Sequence, residues 1–349
     1  MSAPRDWARR HIRELEPYAA ARDLFLGEAR LYLDANESPY ATTAPQPVFG
    51  LERYPDPRCS GLRSALADYL DVEPRCLWIG NGSDEGIDLL LRSFVEPGEV
   101  VVVCTPTYGL YEIAARAHGA RVIEAPLDDG FDVDVDGTLE RAAGARAIFL
   151  CSPNNPTGNR MERGRIEQLL AAFDGPLVLD EAYVEFSAEP SLVEMVGHGR
   201  NLVVLRTFSK AWGLAGARVG YMVADPELIE LIDRINLPYP LSSLSAAAAR
   251  GALSERGLMR ARVARLLAER KRLADRLQGL GFEVFPSDAN FLLGRVERAS
   301  DVFDRLAHEF RIVVRDRSGL ARLEDCLRIT VGRPEENDRL CAALEEILA

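Results

Sequence analysis

The chain has 349 residues, 47% hydrophobic and 28% charged, with a net charge of −12. That length leaves room for about two domains with cores of their own. The acidic balance argues against a nucleic-acid backbone or an anionic membrane as partner, and no apolar run approaches the roughly 18 residues of a membrane span.

The opening stretch, MSAPRDWARRHIRELEPY, carries charges of both signs and no signal-peptide core. Six scattered cysteines without a CxxC pair (Cys59, Cys76, Cys104, Cys151, Cys326, Cys341) read as reduced thiols of a cytoplasmic protein. The four histidines, His11, His118, His198 and His308, lack the spacing of metal ligands, so no metal is expected. Further along, apolar runs end in small or polar residues at 77–79, 100–104, 147–151, 177–179, 202–205 and 219–223. Such runs predict strands buried on both faces of a parallel sheet. Helical periodicity between them, at 84–94, 110–117 and 163–173, predicts an open, doubly wound, mostly parallel α/β domain. Two prolines in NLPYPLSS (236–243) interrupt the pattern, and a helical stretch over about 245–280 follows. Strands at 289–294, 311–314 and 327–331 and a helix from about 335 complete a smaller α+β domain. The predicted division is an N-terminal arm or part of the small domain (1–35), a large domain (36–240) and a small C-terminal domain (241–349).

The chemistry-bearing residues lie just past the predicted strands, where open α/β sheets bind ligands. Of 42 basic residues only Lys210 and Lys271 are lysine. A lysine in such a chain marks chance or a task that guanidinium cannot perform, because only an amine can lose its proton and attack a carbonyl. Lys271, in AERKRLADR, reads as a solvated helix residue. Lys210 closes NLVVLRTFSK beside the hydroxyls of Thr207 and Ser209, with Arg218 as a nearby cation suited to a phosphate. Asp180 ends a buried strand and needs a partner; a protonated pyridine nitrogen would supply one, and a helix N-cap role would also account for it. Tyr183 follows three residues on. CSPNNPTG (151–158) is a rigid turn that presents Asn155. NGSDEG (81–86) opens a helix whose free amides, with Gly82, Ser83 and Asp84, suit a phosphate. Tyr108 in TPTYGLY is placed to stack on a ring.

Together DEAY, SPNNPTG and TFSKAWGLAGARVGY resemble the class I/II aminotransferases, the fold type I enzymes dependent on pyridoxal 5'-phosphate (PLP). LDANESPY, RYPDP, NGSDEGIDLLLRSF, LPYPLS and LRITVGRPEEN narrow the likeness to the histidinol-phosphate aminotransferases, almost end to end. The resemblance implies transamination between L-histidinol phosphate and 2-oxoglutarate in histidine biosynthesis. Lys210 would hold the cofactor covalently and shuttle the proton. Asp180, Asn155, Tyr183 and Tyr108 would hold its ring, and Gly82, Ser83, Asp84, Thr207, Ser209 and Arg218 its phosphate. Tyr54 of RYPDP would reach that phosphate from the neighbouring subunit of a homodimer with shared sites. Arg328, helped by Arg315, would take the substrate carboxylate or phosphate, with Tyr18, Asn36 and Asn290 as further substrate-binding positions. An aromatic amino-acid aminotransferase is the nearest alternative and a PLP-dependent decarboxylase the next. A PLP-binding regulatory module would want a DNA-binding appendage, and a nicotinamide oxidoreductase a GxGxxG after its first strand; neither is present.

Overall fold

The computed structural model describes residues 11, 14–16, 29–40, 50–197 and 201–349. In chain order the strands are β1 (Leu31–Tyr32), β2 (Leu77–Gly80), β3 (Val100–Thr105), β4 (Arg121–Pro126), β5 (Ala147–Cys151), β6 (Leu177–Asp180), β7 (Leu202–Thr207), β8 (Gly220–Val223), β9 (Glu283–Val284), β10 (Phe291–Arg295), β11 (Ile312–Val313), β12 (Arg315–Asp316) and β13 (Cys326–Thr330).

Seven of them form one sheet in the order β2-β8-β7-β6-β5-β3-β4. Its centre is apolar on both faces, because alternate side chains of a strand point to opposite sides. On β3, Val101 and Val103 join one core while Val102 and Cys104 join the other; on β5, Phe149 and Leu150 divide the same way. The helices Ser83–Phe94, Leu110–His118 and Pro226–Asp233 cover the first face. Ser60–Leu70 and Arg163–Ala172 help to cover the second. The mostly parallel, doubly wound sheet is therefore as expected, with one correction. The predicted run 219–223 is not a further parallel strand: β8 runs antiparallel to both β7 and β2. Only the 3₁₀ turn Ala215–Ala217 lies in the β7–β8 connection, and a parallel return requires a longer crossover, usually a helix. Edge strand β4 escaped the apolar-run pattern because it is largely exposed and carries Arg121 and Glu124.

The C-terminal part builds a second, antiparallel sheet in the order β12-β13-β10-β9. The helical stretch expected as one is two helices, Ser243–Ser254 and Arg256–Gly279, broken at Glu255. There the Ser254 hydroxyl donates back to the Gly251 carbonyl at 2.7 Å, a local bond that competes with the helical ladder. Strand β1 pairs in parallel with β11, Leu31 opposite Ile312 and Tyr32 opposite Val313. This pins the segment that follows it, residues 33–36, between the two sheets.

Candidate active site

The sheet order reverses between β3 and β5: after β3 the chain adds β4 on one side, then returns to place β5 on the other. A crevice opens at the carboxyl ends of the strands at such a switch point. Here it is a cleft of about 250 Å³. Tyr108 comes to it from the turn after β3, Asn155 from the turn after β5, and Asp180 from the last position of β6. Thr207, Ser209 and Lys210 arrive from the end of β7.

One end of the cleft is built for an anion. The helix Ser83–Phe94 begins there, with Gly82 at its N-cap in the left-handed region (φ 87). A Cβ on Gly82 would lie 2.7 Å from Arg218 Nη2, and one on Gly220 would strike the Gly82–Ser83 backbone at 2.2 Å. Glycine at both positions lets β8 and the helix start close around the space where amide groups point outward. The Thr207 hydroxyl donates to Ser209 Oγ at 2.9 Å, and Arg218 Nη1 approaches the same oxygen at 3.4 Å. Asp84 does not cap the helix with its side chain. Its carboxylate instead pairs with Arg218 Nη2 at 3.1 Å and accepts from the Tyr108 hydroxyl at 3.4 Å, holding both groups over the cradle.

In the middle stand a carboxylate and an amine. Asp180 is buried, accepting from Tyr111 Oη at 2.8 Å and from the Ala182 amide at 3.0 Å. Burial raises its pKa to about 6 even against those donors. Lys210 Nζ donates to the Ala35 carbonyl at 2.9 Å and lies 5.7 Å from the centre of the Tyr183 ring. Burial, reinforced by the Arg328 charge, pushes its pKa down to about 8. The amine thus loses its proton far more readily than an ordinary lysine, as a nucleophile and acid–base group must.

The wall opposite comes from the second sheet. Arg315 on β12 and Arg328 on β13 face each other across an antiparallel ladder and both enter the cleft. Arg317, two residues beyond Arg315, lines it too. Arg328 Nη1 donates to Asn155 Oδ1 at 2.6 Å and Nη2 donates to the Asp34 carbonyl. The first bond leaves the Asn155 amide nitrogen for the cleft. Asn36, left-handed at φ 53, is buried. Its amide donates to Tyr183 Oη at 3.1 Å, and its Oδ1 accepts from Thr330 Oγ1 at 3.0 Å. Asn290 donates to the Asn36 carbonyl at 3.0 Å and does not line the cleft. Asn36 and Asn290 therefore fasten the strap 34–36, and through it Tyr183.

A class I and II aminotransferase family model matches residues 49–344. Histidinol-phosphate aminotransferases of Parabacteroides distasonis and Xanthomonas euvesicatoria are 42% and 43% identical to the chain. The first match covers 98% of both chains, the second 97% of this chain and 96% of the relative. The solved structure of histidinol-phosphate aminotransferase from Sinorhizobium meliloti, in complex with pyridoxal-5'-phosphate, superposes with a TM-score of 0.90 at 29% identity. It covers 98% of this chain and 97% of its own.

The chain belongs to the class I and II aminotransferases.

In this aminotransferase most of the site residues expected from the sequence converge on one cleft. Tyr54 does not line it in its own chain: it is exposed and stacks on Tyr239 with ring centroids 4.4 Å apart. Tyr18 lies outside the described residues. Sequence reasoning missed Tyr111, Arg317 and the strap residues Asp34 and Ala35. Tyr111 shares the TPTYGLY segment with Tyr108, and Asp34 and Ala35 precede Asn36 in LDANESPY, whereas Arg317 left no such signal. Lys271 is exposed on its helix, as expected. No cluster of three or more metal-binding side chains occurs among the described residues, and no helix there is long and apolar enough to cross a membrane.

Proposed function

We propose that this aminotransferase moves the amino group of L-histidinol phosphate to 2-oxoglutarate, giving imidazole acetol phosphate and glutamate, as a cytoplasmic step of histidine biosynthesis. The observation that carries the reading is the arginine wall of Arg315 and Arg328 facing Lys210 across the cleft. Two guanidinium groups beside one space suit either a carboxylate or a phosphate, so one subsite serves both partners of the exchange. Relatives about 40% identical over nearly their whole length carry the histidinol-phosphate name.

The cleft fits PLP. Its anion cradle, buried carboxylate and depressed amine line one cleft, and they suit the phosphate, ring nitrogen and aldehyde of that molecule. When bound, PLP supplies a carbonyl that condenses with amines and a ring that accepts the electrons freed at the substrate Cα. Lys210 would hold PLP through its neutral amine and, when free, would carry the proton to and from the substrate Cα. The Ala35 carbonyl is in place to orient the released amine. Asp180 would keep the ring nitrogen protonated, Tyr108 would pack on the ring, and Asn155 and Tyr183 would hold the ring oxygen. Gly82, Ser83, Asp84 through its backbone, Thr207, Ser209 and Arg218 bind the phosphate. Arg328, Arg315 and Tyr18 grip the substrate anion, while Asn36 and Asn290 act on substrate by holding the strap. Residues 36–240 form the large, cofactor-binding unit in this reading. Residues 241–349, with 1–35 as arm, form the unit that brings the arginines.

Tyr54 of a second copy of this chain completes the phosphate site, so the working form is a homodimer. Exposed Tyr54 and Tyr239 stack on each other and offer the kind of apolar surface that such a contact covers.

The decisive experiment is a half-reaction without keto acid, following cofactor absorbance as L-histidinol phosphate or L-phenylalanine is added. Conversion to the amine form at far lower concentrations of histidinol phosphate supports the reading. Equal or better conversion by phenylalanine would move the enzyme to the aromatic substrates and retain the roles of Lys210 and Asp180.

A further inference from the structure

Tyr111 contacts none of the reacting positions, yet its hydroxyl ends on one of the groups that serve them. The helix Leu110–His118 starts directly after the Tyr108 turn and carries Tyr111 inward, where the side chain is fully buried. Its ring is held on two sides, stacked on Phe149 (centroids 5.4 Å, planes 22° apart) and edge-on to Tyr108 at 5.5 Å. A ring so confined has one direction for its hydroxyl, which donates to Asp180 Oδ2 at 2.8 Å. Asp180 Oδ1 accepts from the Ala182 amide at 3.0 Å. One fixed donor on each oxygen sets both the place and the rotation of the carboxylate, and lone pairs remain for a ring nitrogen.

We infer that Tyr111 is a positioning residue for Asp180, holding its carboxylate ionised and aimed at the cofactor's ring nitrogen. The inference rests on the reading of Asp180 as the partner of that nitrogen. Burial is the larger influence on Asp180 and favours its neutral form; the Tyr111 hydroxyl is the first of the influences opposing it. Burial also holds the Tyr111 phenol well above its ordinary pKa, so it keeps its proton and remains a donor. Phenylalanine would fill the same volume and keep both ring contacts, so the need met by tyrosine here is its hydroxyl.

The test is a double-mutant cycle of Tyr111→Phe and Asp180→Ala. In each holoenzyme the rate of cofactor loss to a trapping amine is followed by absorbance. The kcat and KM for histidinol phosphate and the melting of the cofactor-free protein are measured beside it. Losing one hydrogen bond to a charged group is expected to speed cofactor loss and lower kcat by about tenfold each. KM stays near wild type, and the melting of the cofactor-free protein falls by no more than the loss of this one hydrogen bond accounts for. In the Asp180→Ala background Tyr111→Phe adds nothing, because its effect passes through that carboxylate. An equal effect in both backgrounds, or none in the wild-type background, overturns the inference and leaves Asp180 its role. If Asp180→Ala itself retains cofactor and turnover, the reading of Asp180 fails first and the inference falls with it.

Discussion

At the scale of single residues, the site shifts the protonation of two groups, a half-buried amine and a buried carboxylate. Lys210 has a pKa lowered to about 8, chiefly by burial, whereas the unfolded chain carries it at 10.5. Between those values the unfolded state binds more protons than the folded one, so stability rises with pH across that window. The cofactor-free protein should therefore gain stability from about pH 8 upward, and Lys210→Met should abolish that gain; denaturant titrations at several pH values check this. The same depression predicts that PLP attachment to the cofactor-free protein accelerates as pH rises and levels off above about 8, which rapid-mixing absorbance would record. Lys210→Ala should lower turnover by at least about a hundredfold, the least that a lost acid–base group costs. Asp180 shows the opposite sign: its pKa, raised from 3.8 to about 6, makes folding less favourable as pH rises through that interval. Cofactor binding provides the cation that offsets this cost.

Elements place these residues to within an atom's width. The phosphate cradle depends on β8 lying against the start of the helix Ser83–Phe94, which a side chain at position 220 forbids. Gly220→Ala should weaken PLP binding and destabilise the protein by about 1–3 kcal/mol through overpacking, measurable as a lower Tm and faster cofactor loss. The arginine wall depends instead on a strand pair. Arg315 and Arg328 are directly opposed on β12 and β13, so both guanidinium groups reach the same space. Lysine at 328 keeps the charge but not the fork that binds Asn155 and the strap together and that the proposed reading assigns to the substrate anion. Arg328→Lys should raise KM for glutamate and for histidinol phosphate alike by about tenfold. An increase for only one of them would separate the two anion subsites.

The whole molecule joins two sheets around one cleft and leaves an aromatic pair in solvent. Tyr54 is 79% exposed and stacks on Tyr239, itself 44% exposed. A homodimer should appear in sedimentation as a species of about twice the 38.5 kDa chain mass. Mixing Tyr54→Phe chains with Lys210→Ala chains should then give hybrid dimers with one fully assembled site. Turnover that stays at the level of the separate mutants would argue against a shared site. The strap 34–36 belongs to this scale as well: led in by β1, which pairs with β11, and tied by Asn36 to Thr330 and Asn290, it joins β1 to the C-terminal sheet across the cleft.

The buried strands, the motif residues at their ends and the rarity of lysine were legible in the sequence, because strand burial and catalytic amines leave local chemical signatures. So the mostly parallel sheet could be read directly, and Lys210, Asp180 and the turn at Gly82–Asp84 could be picked out as candidates that meet at one cleft. The antiparallel β8, the exposed edge strand β4 and the break at Glu255 were not, since each is decided by neighbours or by a local competition that hydrophobic pattern does not encode. Asn36 lines the cleft and also bonds to Tyr183 and Thr330, whereas Asn290 lies off the cleft and holds the Asn36 carbonyl. Tyr111 stayed hidden because a buried tyrosine looks the same in sequence whether its hydroxyl meets a carboxylate or not. A side chain's type is a local property, but its partner is set by distances between segments far apart in the chain. Those distances exist only once the two sheets have packed.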